Sequence, residues 1–327
     1  MLDIVLRDPF LRFRPIPVPG SIRKRASDGD GSRSGGSRGS RPSRVVPLSE
    51  NEIGMAIDRL PPLPAIATRI LEVVGGDRAS AADLEGLVRL DAVVAARLLK
   101  LVNSPFYGLP NRVASIAQAV TMIGFGGVKS LVVAAAMSEL LQSDLAVYGF
   151  SNNGAWKCAL ACGAIAKAIA HETGVIGDEQ EIYFLGGLMH DVGLLVTGPE
   201  LRRRNLDCVR GVSKSLIEHE RDCLGIDHVT VGERLAERWR LPAALRACIS
   251  EHHFEPGRWT IAHTKLVASI RLAERLAFAS RIGLNAKHGF DAKIDPIFLT
   301  QAGLDGPSLQ RLTKALPAVV AAAEIPL

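Results

Sequence analysis

Leu98-Leu99-Lys100-Leu101-Val102-Asn103-Ser104-Pro105-Phe106-Tyr107-Gly108 reads as a buried helix brought to a hard stop. Asp91 opens the helix, and Val94, Leu98, Leu101 and Val102 recur at the spacing of one apolar stripe. Asn103 offers a donor and an acceptor to close the helix end, and Pro105 forbids continuation. Phe106 and Tyr107 then place two rings beside Gly108, where backbone can approach closely. The block is a structural corner, and the rest of the chain is arranged around it as helices.

Toward the N-terminus, Ser49-Glu50-Asn51-Glu52 opens a helix through Leu60, with acids at the positive end of its dipole. Pro61-Pro62-Leu63-Pro64 leads into Ala65–Val74, which Gly75-Gly76 ends, and Ser80-Ala81-Ala82-Asp83 caps a stretch holding Leu84, Leu87 and Val88. Toward the C-terminus, Ser115 caps Ile116–Ile123, Gly124 stops it, and Val128–Leu141 follows. The connection Ser143–Asn153 carries Leu145, Val147, Tyr148 and Phe150, unlike a flexible Gly/Ser spacer. Beyond it the pattern predicts Trp156–His171 as a central helix, then Glu179–His190, Val229–Trp239, Pro242–His253, Lys265–Ser280 and Ser308–Ala323. The expectation is an all-α protein of two packed helical subdomains, residues 48–145 and 150–258, with a C-terminal helical extension over 259–327.

Composition agrees. Apolar residues are 47% of 327, charged residues 22% and aromatics 5%, a globular chain that favours helices over sheets. Residues 1–47 hold ten Arg and Lys against four Asp, a net +6, so the remaining 29 basic and 30 acidic groups leave the folded part at −1. This arm, with its Gly/Ser/Arg tract Ser27–Arg44, has too little apolar surface to offset chain entropy and is expected to be disordered. The longest charge-free run, Val113–Val128, is sixteen residues and too polar to span a bilayer, and Met1–Asp8 carries acids where a secretory leader is basic. Cys158, Cys162, Cys208, Cys223 and Cys248 form no CxxC pair and read as small core residues in a reducing cytoplasm.

Leu60-Pro61-Pro62-Leu63-Pro64, the Leu98–Gly108 block, Ser115–Val120, Ile123-Gly124, Leu188-Met189-His190-Asp191-Val192-Gly193, Asp227-His228 and Trp239-Arg240-Leu241-Pro242 together resemble the bacterial HDOD domain, an HD-related output domain. The resemblance implies that 48–258 is that domain and that its second half is HD-like. HD proteins hold one or two metals on a His, a His-Asp pair, further His and a closing Asp. The resemblance places the pair at His190-Asp191, further histidines at His228 and at His252-His253, and a carboxylate at Glu274. It puts Cys158 where the first His would stand, and Leu194 where HD-GYP phosphodiesterases carry a phosphate-balancing Lys. The Gly-Tyr-Pro segment of those enzymes is absent. The plainer reading keeps these histidines as helix caps: His228 at a helix start, the others at helix ends.

The leading reading is a non-enzymatic module of bacterial signal transduction, of the kind tied to cyclic di-GMP networks. It would bind a protein partner or a small nucleotide ligand through an HD-like platform, with no cofactor and no membrane. The alternative is a metal-dependent nucleotide phosphohydrolase whose divalent metal sits on His190, Asp191, His228, His252, His253 and Glu274. A third reading is weak nucleic-acid contact by the basic arm, although its arginines lack interleaved aromatics to stack bases. Limited proteolysis should cut first within Ser27–Arg44 and leave a stable fragment; equal resistance of tract and body would count against disorder.

Overall fold

Ser49 opens α1 (Glu50–Arg59) by a reciprocal cap: its hydroxyl accepts the Glu52 N–H at 3.3 Å, and the Glu52 carboxylate accepts the Ser49 N–H at 2.8 Å. The computed structural model describes residues 47–74, 86, 88, 91–105, 107–206, 215–285 and 294–323. The arm before Pro47, most of the helix expected after Ser80, Phe106 and Cys208 lie outside the described residues. Among the described residues every regular element is helical, as the sequence predicts.

α2 (Ala65–Val74) and α3 (Ala92–Val102) both pack on α4 (Ile116–Leu141). Asp91 caps α3 by accepting the Val93 and Val94 N–H groups at 3.0 Å, and the stripe Val94, Leu98, Leu101, Val102 is buried. Asn103 staples the corner after α3: its amide donates to Leu99 O at 2.6 Å and Val113 O at 2.8 Å, and its oxygen accepts Val113 N–H at 2.7 Å. In α4, Gly124 has φ +77°, a conformation open to glycine, so the expected stop is a kink across which the helix resumes. At 26 residues this is the one described helix long and apolar enough to cross a membrane, yet 67% of its most apolar window is buried inside the fold.

The second block comprises α5 (Gly154–Glu172), α6 (Glu179–Met189), α7 (Leu194–Arg203), α8 (Leu216–Leu224), α9 (His228–Arg238), α10 (Ala243–Glu251), α11 (Thr264–Ala279), α12 (Pro296–Ala302) and α13 (Gly306–Ala323). The helices expected here lie within two residues of those observed, whereas α7, α8 and α12 go beyond the sequence reading. α5 is central, with α6, α11 and α13 packed around it. Close approach depends on glycine: a Cβ on Gly187 would stand 2.7 Å from the Cys162 carbonyl and from Gly163 Cα, and one on Gly163 would stand 2.6 Å from Phe184 O. The Gly186-Gly187 pair thus trades helix propensity for contact.

Several unlike contacts join the blocks. α1 packs on α7, and its charged face pairs Arg59 with Glu200 at 2.9 Å, Glu50 with Arg234 at 2.7 Å and Asp58 with Arg238 at 2.6 Å. Lys129 of α4 reaches Asp178 at 3.5 Å, and Lys167 of α5 lies between Glu181, 2.5 Å away, and the Tyr107 ring. The exposed pairs Glu50–Arg234 and Asp58–Arg238 each contribute little; the apolar connection does more, since Leu145, Tyr148 and Phe150 are all buried. Gly187→Ala should destabilise the protein by roughly 1–3 kcal/mol in urea unfolding, by overpacking the α5–α6 contact. Gly54→Ala, where a Cβ meets nothing within 4 Å, should be neutral or raise stability by ~0.5–1 kcal/mol. Equal effects would remove the packing argument.

Candidate metal centre

The turn that follows α6 carries His190 and Asp191. His190 Nδ1 donates to the Gly187 carbonyl at 2.8 Å, which fixes the tautomer and aims Nε2 inward. His252, just past α10, does the same with Ile249 O at 3.0 Å. A side chain on Gly193 would overlap the His228 carbonyl, so glycine at this position lets the start of α9 dock on the His-Asp turn. The expectation that His228 caps α9 is replaced: Asp227 is the cap, accepting Thr230 N–H at 2.8 Å, and the His228 ring turns into the cluster.

There, the Nε2 atoms of His190, His228 and His252 stand 3.2, 3.4 and 3.3 Å from the Asp191 carboxylate. None of the three nitrogens, nor Asp191 Oδ1, has a hydrogen-bond partner, and all four atoms are buried. Native proteins seldom leave such atoms unsatisfied. Ligand atoms of Asp191, His228, His252 and His253 all lie within 4.8 Å of one another, as do those of His190, Asp191 and Glu274. The structure therefore brings together all six residues that the sequence singles out. Imidazole nitrogens with carboxylate oxygens suit a divalent ion such as Zn²⁺, Mn²⁺ or Fe²⁺, and four orphaned atoms facing one another fit it.

Behind His228 stands Glu220, which sequence reasoning missed. Its side chain is 0% exposed and accepts the His228 N–H at 2.9 Å, the His228 Nδ1–H at 2.6 Å and the Tyr148 hydroxyl at 2.5 Å. A carboxylate behind a ligating imidazole orients the ring and raises its basicity. One sequence signal pointed here: Ser215 and Glu218 form a capping box that announces α8, the helix carrying Glu220.

Charge is arranged in pairs. Burial opposes ionisation of His190, but the adjacent Asp191 carboxylate holds it well above the ordinary histidine value, and the neighbouring imidazoles hold Asp191 well below the carboxylate range despite its burial. Burial likewise opposes charge on His228, and Glu220 overrides it, leaving the pKa pushed up to about 9. His252 is lowered by burial, and His253 more strongly by burial and the neighbouring His252 and Arg271. Glu274, buried at the far side, is held down by Arg271 and Arg275. Burial pushes the Cys158 thiol well up; it stands near Asp191 and Glu274 but outside the converging ligand sets. Leu194, which stands where a phosphate-balancing Lys would, is buried, but the cluster does have a cation beside it, Arg271, whose Nη1 bonds Glu274 at 2.6 Å.

Residues 60–255 match the family model of the HDOD domain. An uncharacterized protein of Treponema pallidum (strain Nichols) is 27% identical over 208 residues, 61% of this chain and 39% of that one, so the chain spans about two fifths of the length of that curated relative. Among solved structures, an HDOD domain protein of unknown function from Geobacter sulfurreducens superposes with TM-score 0.66 at 23% identity, covering 84% of this chain and 98% of that one. A Shewanella amazonensis SB2B protein provisionally named a phosphohydrolase gives 0.60 at 21%, covering 83% and 97%. A Marinobacter aquaeolei VT8 protein provisionally named for signal transduction gives 0.59 at 20%, covering 84% and 64%. At these identities the likeness establishes a shared fold.

Glu220→Ala should cost roughly 3–5 kcal/mol at neutral pH, the range for breaking one side of a buried ion pair. Because the folded pKa of His228 lies above the ordinary 6.5, the pair contributes fully below that pH and loses its contribution as pH rises through about 9. Urea unfolding of metal-free protein should thus show a smaller penalty on the alkaline side of that value than at neutrality. An unchanged penalty would show that the Glu220–His228 charge pair is not the source.

Proposed function

The chain belongs to the HDOD domain family, and we propose that it acts as a regulatory module of signal transduction, without turnover, whose HD-like half holds a divalent metal. The observation that carries this reading is the set of three buried imidazole nitrogens and one carboxylate oxygen that face one another with no hydrogen-bond partner. His228, His252, His253 and Asp191 would hold the metal, with His190 and Glu274 beside them. A divalent ion there would add a positive charge at the junction of α6, α9 and α10, and Lewis acidity toward a bound oxygen.

Regulation rather than hydrolysis is supported by the surroundings. His190, His228, His252 and Glu274 are buried, Cys158 remains a thiol where the resemblance places a first histidine, and Leu194 offers no charge to a phosphate. His228 is tied through Glu220 to Tyr148 in the connection between the blocks, so the state of the centre bears on how the blocks sit together. A platform of this kind would present that state to a protein partner or a small nucleotide. Four free buried cysteines suit a reducing compartment and support a cytoplasmic location. The phosphohydrolase reading keeps one specific support: the Asp191 side chain is 22% exposed, so the centre has an edge that solvent reaches.

Equilibrium dialysis against Zn²⁺ or Mn²⁺ should show tight uptake, weakened by Glu220→Gln about 10–100-fold, the usual effect of removing a partner behind a ligand. Metal-loaded protein should release no product from cyclic di-GMP or nucleoside phosphates beyond a His190→Ala control. Turnover well above that control would replace the regulatory reading with the hydrolase, and no metal uptake would remove the centre from either.

A further inference from the structure

The two converging ligand sets share Asp191 but are not equivalent. One brings three imidazoles, His228, His252 and His253, together with the shared carboxylate. The other brings only His190 and Glu274 beside Asp191, and Glu274 is already engaged: its Oε2 is bonded to Arg271 Nη1 at 2.6 Å. Arg271 sits three residues before Glu274 on α11, with its side chain only 11% exposed, so the guanidinium is packed against the cluster. Its charge also acts on His253, a member of the first set.

We propose that Arg271 is the built-in cation of the second ligand set, so that the centre takes a single divalent ion on Asp191, His228, His252 and His253 and refuses a second. The inference rests on the reading of the cluster as a metal centre. A guanidinium stays protonated at any relevant pH, so its charge is permanent. An ion entering between His190, Asp191 and Glu274 would have to share Glu274 with that charge. A neighbouring charge within ~4–6 Å changes the affinity of an ionic site by roughly tenfold to a thousandfold. Arg271 therefore sets the stoichiometry of the site without touching the ion that binds. Another pair between residues three apart, Arg203 with Glu200, leaves its arginine 54% exposed, whereas Arg271 beside Glu274 is only 11% exposed.

Dialysis against excess Mn²⁺, with bound metal counted by mass spectrometry, separates the outcomes. Wild type should retain one ion per chain, Arg271→Lys one, and Arg271→Met two, the second showing in electron paramagnetic resonance as a spin-coupled pair in place of isolated Mn²⁺. Glu274→Gln should keep the one ion at excess Mn²⁺ with its affinity weakened about tenfold or more, because Glu274 lies outside the occupied set while its charge offsets that of Arg271, and this variant tests the idea even if Arg271→Met fails to fold. Two ions in wild type, one in a folded Arg271→Met, or loss of the ion in Glu274→Gln would each overturn the proposal while leaving the metal centre standing. Zero ions in wild type would instead remove the metal reading on which it rests.

Discussion

A carboxylate with no exposure to water has to be met by donors, and Glu220 is met by three from two distant parts of the chain. Leaving such a group unpaired in the interior would cost several kcal/mol. Its demands therefore act as a constraint on everything around it. Tyr148 must stay in the connection between the blocks, α8 must lie against α9, and the His228 ring must point Nε2 toward Asp191. Tyr148 in turn lies 2.7 Å from the Thr197 hydroxyl, which ties α7 into the same network. The centre and the seam between blocks are thus held by one set of bonds.

The helix contacts supply the rest of the geometry. Gly163 and Gly187 bring α5 and α6 to backbone contact, and Gly193 admits the His228 carbonyl against the His-Asp turn. Each close approach moves a ligand-bearing segment toward a common point, and none tolerates a Cβ without displacement of backbone. The packing energy is apolar and spread over the whole core. The position of the six site residues rests on a few glycines.

Local signals in the sequence were readable where the physics is local. Asp91 and Ser115 act within three residues of themselves and Asn103 closes its helix end on Leu99, as their types predict, while the reach of Asn103 to Val113 spans ten positions. The Gly124 stop was legible as a break, but the resumption of α4 beyond it depends on burial against α2 and α3. α7 was hidden because Pro199 lies inside it, and α8 because nine residues rich in charge show no long apolar stripe. The six candidate ligands were found through resemblance, since nothing in their spacing alone brings His190, His228 and His252 together. Glu220 and Tyr148 were missed for the same reason: their bond spans 72 positions, and only the fold makes them neighbours.

The charges of the centre fall into three pairs: His190 with Asp191, His228 with Glu220, and Arg271 with Glu274. In the metal-free chain Asp191 pulls His190 upward and Glu220 pulls His228 up to about 9 against their burial, while burial pulls His252 and His253 downward. Each carboxylate of the cluster thus faces a group that favours its charge, and Glu274 faces two, Arg271 and Arg275. Imidazoles bind a metal only after losing the proton on the ligating nitrogen, so ion and protons compete for the same atoms. An ion on Asp191, His228, His252 and His253 would displace the Nε2 proton of His228, while His190 lies outside that set and keeps its pairing with Asp191. Low dielectric surroundings penalise charge that is left unbalanced. The Arg271 guanidinium beside Glu274 is therefore the fixed charge against which any ion at this site would have to be balanced.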